Sequence, residues 1–332
     1  MKMNKSIILI YTEGGLKLGL GNIYRSLSLA HELARRDIIE VCFITSSERY
    51  VQDIIRSQGF KVLAVSKDRL INEIVEYRPS ILLIDYLGIG EEFVKSVKTQ
   101  IPTRLVIVGN DTDANHYADI VVNAIIGTHF KNRCFVDEYG TLNLFGPKYL
   151  VLREEFEKKR NSYIYKGILK HIVLLFGGSD QANYTCKVIG QFIKASNDYQ
   201  ITVITGAGYL YDEELKAMTK DAPENVRINI LKNINNVAEM YSRADFLITS
   251  PGTALFEGLC MGIPSLSFYQ NKSQQEVFGD FFTTASYEDH LDIIKYMNSI
   301  YSDLNEYNEQ LKFYAVGEGK TEIINSIVKL LN

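Results

Sequence analysis

The chain has 332 residues, 46% of them hydrophobic, which is enough apolar material for two packed cores of ordinary size. Its formal net charge of −4 leaves no basic excess to meet a phosphate backbone, so no nucleic-acid partner is expected. Cys42, Cys134, Cys186 and Cys260 lie far apart, with no Cys-x-x-Cys pair and no histidine at ligand spacing, so neither a zinc site nor a disulfide framework is indicated. A reducing, cytoplasmic setting fits best, because the first apolar run meets Thr12, Glu13 and two glycines too soon for a signal core or a membrane span.

In chain order, residues 7–11, 40–45, 61–65, 81–85, 104–108 and 119–122 are apolar runs of strand length with helical patterns between them. After the first run comes Gly19-Leu20-Gly21-Asn22. Glycines there let backbone approach a ligand without a Cβ, and the helix that follows offers unpaired N–H groups and a partial positive charge. That helix, over 23–36, places Ile23, Leu27, Ala30 and Ala34 on one face, with Arg25, Glu32, Arg35 and Arg36 largely elsewhere. The same alternation restarts with strands at 171–176, 200–205, 226–231, 245–249 and 265–269. The charged stretch 153–166 is the expected linker. The sequence therefore predicts an α/β protein of two doubly wound, Rossmann-like domains, 1–155 and 156–332, with the ligand in an interdomain cleft. A stripe of Ile323, Ile324, Ile327, Val328 and Leu331 is expected to pack back on the first domain.

Three loops of the second half follow strands and precede helices, where open parallel sheets gather their ligands. Gly177-Gly178-Ser179-Asp180 offers bare amides and a hydroxyl suited to a pyrophosphate; the plainer reading is a strand-to-helix turn capped by Asp180 or Ser179. Ser250-Pro251-Gly252-Thr253-Ala254 offers hydroxyls and amides for phosphate, and Glu257, one turn further on, suits paired ribose hydroxyls. Against that stands Glu257 as an acid that merely complements the helix dipole. In the third loop, Gln274 and Gln275 carry amides able to read sugar hydroxyls, unless the loop is simply solvated.

Taken as an ordered series, Gly19-Leu20-Gly21-Asn22-Ile23-Tyr24-Arg25, Leu82-Leu83-Ile84-Asp85-Tyr86, Asn110-Asp111, Leu152-Arg153-Glu154-Glu155-Phe156, Phe176-Gly177-Gly178-Ser179-Asp180 and Ser250 to Glu257 resemble the UDP-sugar hydrolases of pseudaminic acid synthesis and the related spore-coat polysaccharide proteins, within the GT-B fold. The second half also resembles the UDP-N-acetylglucosamine transferase of peptidoglycan synthesis, Gln274-Gln275 included. The resemblance implies UDP on the second domain, with Gly178, Ser179, Thr253 and Ala254 near phosphates, Glu257 near ribose and the backbone around Ile234 pairing with uracil. It implies chemistry without a cofactor or metal, on a UDP-activated amino sugar of surface-glycan synthesis.

The departures concern the proton. The family carries a histidine where Asn22 stands, Asp-His where this chain has Asp85-Tyr86, and Asp-Asp where it has Asn110-Asp111. Three outcomes are open: hydrolysis at the sugar–phosphate linkage with Asp85 or Asp111 as a non-standard base, glycosyl transfer to a sugar acceptor, or a catalytically silent nucleotide-sugar binder in which Asn22 only hydrogen-bonds. A strand-end cap for Asp85 and an Asx-turn for Asp111 are the plainer alternatives. Arg25 is placed to reach a phosphate or Asp85, with surface solvation the plainer reading. An interdomain salt bridge is the plainer reading for Arg153. Of the five histidines, His116 is the one with a route to the cleft, and His31, His129, His171 and His290 read as surface or packing residues. A dinucleotide-dependent oxidoreductase would want Gly-x-Gly-x-x-Gly, which Gly19, Gly21 and Tyr24 do not complete.

Overall fold

The computed structural model describes residues 5–15, 18–125, 127–195, 197–288 and 291–331; His290 lies outside them. The chain divides into two compact units, Met1–Arg153 with Tyr314–Asn332, and Glu154–Phe313.

The first unit runs β1 (Ser6–Thr12), α1 (Gly21–Ala34), β2 (Ile39–Thr45), α2 (Arg49–Ser57), β3 (Lys61–Ala64), α3 (Leu70–Tyr77), β4 (Ile81–Asp85), α4 (Glu91–Lys98), β5 (Arg104–Val108), β6 (Ile120–Asn123), β7 (Arg133–Val136) and β8 (Leu142–Phe145). Its sheet has the order β3-β2-β1-β4-β5-β6-β8-β7 and is parallel except for the β7–β8 hairpin. The central strands β2, β1, β4, β5 and β6 are apolar at most positions because both of their faces are covered. Ile8, Ile10, Val41, Phe43, Leu83 and Val106 pack with Ile23, Leu27 and Leu33 of α1, while the alternate residues Leu9, Ile44, Leu82 and Ile107 pack with Leu70, Ile74, Val94 and Val97 of α3 and α4.

The chain continues through α5 (Glu154–Glu157), β9 (His171–Leu175), α6 (Tyr184–Ile193), β10 (Tyr199–Thr205), α7 (Asp212–Lys220), β11 (Val226–Lys232), α8 (Val237–Tyr241), β12 (Phe246–Thr249), α9 (Thr253–Met261), β13 (Ser265–Phe268), α10 (Lys272–Phe278), β14 (Thr284–Ala285), α11 (Ile293–Ser302), α12 (Leu304–Tyr314) and α13 (Lys320–Lys329). The second sheet, ordered β11-β10-β9-β12-β13-β14, is parallel throughout. Ile172, Leu174, Val203 and Phe246 face α6 and α11; Val173, Ile204 and Leu247 face Phe156, Tyr241 and Met261. The charged stretch after Arg153 thus contributes a core residue, Phe156, whose ring stands edge-on to Tyr241 at 5.6 Å. Ile323, Ile324 and Ile327 of α13 are buried in the first unit's core. Lys320, just before them, reaches Ser28 Oγ of α1 (2.8 Å), which itself donates to Leu152 O (2.7 Å).

Strand order reverses direction between β1 and β4 in the first unit and between β9 and β12 in the second. At such points the connections leave on opposite faces of the sheet, and the loops at the strand carboxyl ends frame a crevice for ligands.

Candidate functional site

In the first unit the β1–α1 connection is closed by Gly15 and Gly19, which exchange backbone hydrogen bonds at 2.9 and 2.7 Å, with Gly19 at φ +74°. Gly21 and Asn22 open α1, and the preceding Leu20 supplies no side-chain cap. Gly19 and Gly21 are exposed and Asn22 is half-buried. The Asn22 amide is gripped from both sides. Arg25 Nη2 donates to its Oδ1 at 2.9 Å, and its Nδ2 donates to Glu13 O at 3.5 Å.

Arg25 goes on to the carboxylate that ends β4. Its Nε donates to Asp85 Oδ1 and Oδ2 at 3.1 and 3.0 Å, its Nη2 meets Oδ1, and Ser26 Oγ donates to Oδ2 at 2.9 Å. Asp85 is wholly buried and the Arg25 side chain is 23% exposed. Burial works against the Arg25 charge, but the Asp85 charge and hydrogen bonds outweigh it and lift its pKa above the ordinary arginine value. Solvation of Arg25 at the surface is therefore replaced by a buried ion pair. Gly109 leaves room for the guanidinium: a Cβ there, already strained at φ +69°, would lie 3.1 Å from Arg25 Nη2.

Asn110, buried at the end of β5, is consumed by structure. Its Oδ1 accepts from Gly88 N at 3.0 Å, and its Nδ2 reaches Thr112 Oγ1 at 2.9 Å. Asp111, the next residue, is exposed, and among the described residues no hydrogen bond or ion pair ties its carboxylate. Tyr86 lies half-buried with its ring centroid 5.8 Å from that of Tyr11. Burial, followed by the charge of Glu13, pushes the Tyr11 hydroxyl well above the usual tyrosine range.

Sequence reasoning passed over Glu13 as part of the site. Only 4% exposed, it accepts from Ser46 N and Ser46 Oγ (2.7 Å each), Ser47 Oγ (2.5 Å) and Thr45 Oγ1 (3.3 Å). These bonds lash the β1–α1 loop to the end of β2. The signal was present: an acid at one strand end and a Thr45-Ser46-Ser47 run at the next.

His116 does not share this end of the sheet. It stacks on Tyr139 (4.2 Å, 21°), in the turn where Thr141 Oγ1 donates to Ala118 O (2.8 Å), before β6 and β8 begin. The 3-10 turn Asp113–Tyr117 has carried the chain back to the strand amino ends, so the expected route from His116 to the ligand is corrected. Arg153 lies over the Tyr24 ring at 5.8 Å, a contact inside the first unit. His171 is a packing residue: its Nδ1 faces Arg243 O at 2.9 Å, which can only accept, so Nε2 is the acceptor for Thr202 Oγ1 at 2.9 Å. Burial lowers its pKa and keeps that tautomer neutral.

In the second unit the switch-point loops meet. A Cβ on Gly177, at φ +77°, would lie 3.7 Å from Ser250 Oγ. Gly177 and Gly178 are exposed and Ser179 half-buried. Helix α6 begins only at Tyr184, and Asp180 takes its first amides, from Tyr184 N (2.9 Å) and Thr185 N (2.8 Å). Asp180 is the cap, which leaves any phosphate role to the glycines and Ser179. Helix α9 is different. Gly252, its N-cap, supplies no side-chain bond, so the amides of Thr253 and Ala254 open the helix without one. Glu257 follows in the second turn, 2% exposed.

Gln274 is braced rather than free: its Oε1 accepts from Gln270 N (2.8 Å) and its Nε2 donates to Pro251 O (3.2 Å), so it ties the third loop to the second. Gln275 is exposed. Ile234 lies in the turn after β11, where Asn233, at φ +54°, donates its N–H to Thr205 O (2.9 Å), and the half-buried Ile234 packs against the core cluster that contains Phe156 and Tyr241. A fourth glycine loop went unread. Gly206 and Gly208 pack on the backbone of Gly178, Gly208 N donating to Gly178 O at 3.0 Å. Among the described residues no group of three or more His, Cys, Asp or Glu is placed to hold a metal ion, and no helix is long and apolar enough to cross a membrane.

Two Rossmann-like units, each with its polar loops at a switch point, define a GT-B architecture. The fold matches that of MurG from Acinetobacter baumannii (TM-score 0.69, 12% identity, 98% of this chain and 99% of that one). It also matches Anabaena HepE, solved with UDP and glucose (TM-score 0.58, 12% identity, 98% and 99%). No family model matches the sequence. An uncharacterized protein of Methanocaldococcus jannaschii, MJ1062, is 37% identical over 98% of this chain, which spans 66% of that relative's length. The Bacillus subtilis spore coat polysaccharide biosynthesis protein SpsG is 26% identical over 80% of this chain and 78% of its own. The Campylobacter jejuni UDP-2,4-diacetamido-2,4,6-trideoxy-beta-L-altropyranose hydrolase is 23% identical over 76% and 88%. Among these relatives, the two that carry a functional name are a spore-coat polysaccharide biosynthesis protein and a UDP-sugar hydrolase, and the chain is similar to both over more than three quarters of its length.

Proposed function

We propose that the protein processes a UDP-activated amino sugar in surface-glycan biosynthesis, hydrolysing the bond between sugar and phosphate. The observation that carries the nucleotide is the second switch point. There the exposed Gly177 and Gly178 backbone, Ser250 Oγ and the α9 amino terminus without a side-chain cap come together, an arrangement of amides, hydroxyl and helix dipole suited to a diphosphate. Buried Glu257 is then the ribose acid, and the turn at Ile234 the uracil edge. The names of two relatives and of HepE's bound ligands support the same class.

In the first unit, Asp85 is committed to Arg25 and Ser26, whose hydrogen bonds occupy its lone pairs and leave little to offer a water. Asp111 is the carboxylate left to serve as base, with Asn22 and Tyr86 as sugar contacts. Transfer to a sugar acceptor is the second reading, favoured by the absence of a histidine at position 22.

The test is incubation with UDP-sugars, alone and with candidate acceptors, following UDP and free sugar. Release without an acceptor, falling by about 10²–10⁴ in Asp111→Asn, is expected. Release only with an acceptor replaces hydrolysis by transfer, and UDP binding without turnover leaves a binder.

A further inference from the structure

Outside the switch points, the exposed feature that calls for a partner is the far edge of the first sheet. Strand β7 ends the strand order, and all four of its residues are exposed. Phe135 is 39% exposed, Val136 64% and Tyr139, in the adjoining turn, 57%. Sheet edges are ordinarily blunted by charge pointing inward, by proline, by a bulge or by a covering element. Within β7 there is no proline, and no strand other than β8 pairs with it among the described residues.

The backbone direction follows from the hairpin. Asp137 N donates to Thr141 O at 3.1 Å, and the register pairs Phe135 with Asn143 and Arg133 with Phe145. Hydrogen-bonded and non-bonded pairs alternate along an antiparallel ladder. Arg133 and Phe135 therefore spend their amides and carbonyls on β8, and Asp137 spends its own on the hairpin turn (Asp137 N to Thr141 O, Gly140 N to Asp137 O), whereas Cys134 and Val136 aim theirs outward.

We propose that the protein forms a two-fold homodimer in which β7 pairs antiparallel with β7 of a second copy, making one continuous sheet. The outward-facing residues select the register: Cys134 exchanges both backbone bonds with Val136 of the second copy, and the reverse. Phe135 then faces its own copy across the dyad, and Arg133 stands opposite Asp137 of the other chain. The strand is self-complementary in charge, because Lys131 and Arg133 precede the apolar centre while Asp137 and Glu138 follow it. Antiparallel pairing brings each basic end to an acidic one. Phe135 lies under Arg133 (5.6 Å), which also covers Phe145 (5.8 Å), so the dyad would add a second phenyl ring to an existing stack. No part of the nucleotide site is involved.

The experiment is a solution mass by light scattering over a dilution series of the whole chain, whose single copy is 37.7 kDa. Twice that mass is expected. Phe135→Lys sets two like charges together at the dyad, and Val136→Pro deletes an outward N–H that β8 does not use; each is expected to give the single-copy mass with unchanged circular dichroism. In a Cys134→Ser background, Phe135→Cys is expected to cross-link copies on oxidation, since a non-hydrogen-bonded pair sits about 4.5 Å apart at Cα. A single-copy mass in concentrated solution overturns the proposal. So does a dimer that survives both Phe135→Lys and Val136→Pro, or a Phe135→Cys chain that stays uncross-linked.

Discussion

At the scale of single residues, the identity of position 22 matters less than what surrounds it. Arg25 holds Asn22 Oδ1 at 2.9 Å and is itself locked onto Asp85, so the amide sits beside a fixed cation. An imidazole in its place would meet the same guanidinium, which favours the neutral ring and lowers its affinity for a proton. Asn22→His is therefore expected to leave UDP release within about tenfold of the parent, far short of the 10²–10⁴ a well-placed general base supplies. A coupled assay for UDP with the parent and Asn22→His side by side checks this. A gain beyond tenfold would show that Arg25 swings away when sugar is bound.

Elements decided what could be read in the sequence. Strands such as β1, β4 and β5 were legible because both faces are buried and each carries an unbroken run of apolar residues, 7–11, 81–84 and 105–108. β7 was not, because its residues are all exposed and its mixture of Arg133, Cys134, Phe135 and Val136 carries no burial pattern. The glycine loops were legible one at a time, but not their mutual packing. Nothing local couples Gly206 to Gly178, nor Glu13 to Ser46, which lies 33 residues further on. Likewise the amides of Gln274 looked free to read a sugar until β12 and β13 brought Pro251 and Gln270 against them.

The Gly178–Gly206 contact carries its own consequence. A Cβ on Gly206 would stand 2.6 Å from both Gly178 Cα and Gly178 O, and neither backbone atom can swing aside as a side-chain tip would. Gly206→Ala is expected to displace the 177–179 turn and weaken UDP binding by about tenfold, roughly the 1.4 kcal/mol worth of one lost or bent hydrogen bond. Calorimetric titration with UDP measures it, and circular dichroism at the same temperature checks that the sheet persists. Full affinity in Gly206→Ala would separate this loop from the nucleotide.

On the scale of the whole molecule, the two units differ in how the chain builds them. The first is discontinuous: it is not finished until α13 returns Ile323, Ile324 and Ile327 to a core begun by β1 and α1. The second is one uninterrupted stretch, Glu154–Phe313, with its own sheet, both faces covered, and every residue proposed to touch UDP. A protein of residues 154–313 should therefore fold alone and bind UDP at one site, yet release nothing from a UDP-sugar, because Asn22, Asp85 and Asp111 all belong to the other unit. Ending the chain at Phe313 should instead strip the first unit of three buried isoleucines, each worth about 1.5–3 kcal/mol of burial, and unfold it while UDP binding survives. Calorimetry on both truncations distinguishes the cases: heat of UDP binding in each places the nucleotide on the second unit, whereas silence from a folded 154–313 fragment would move it elsewhere.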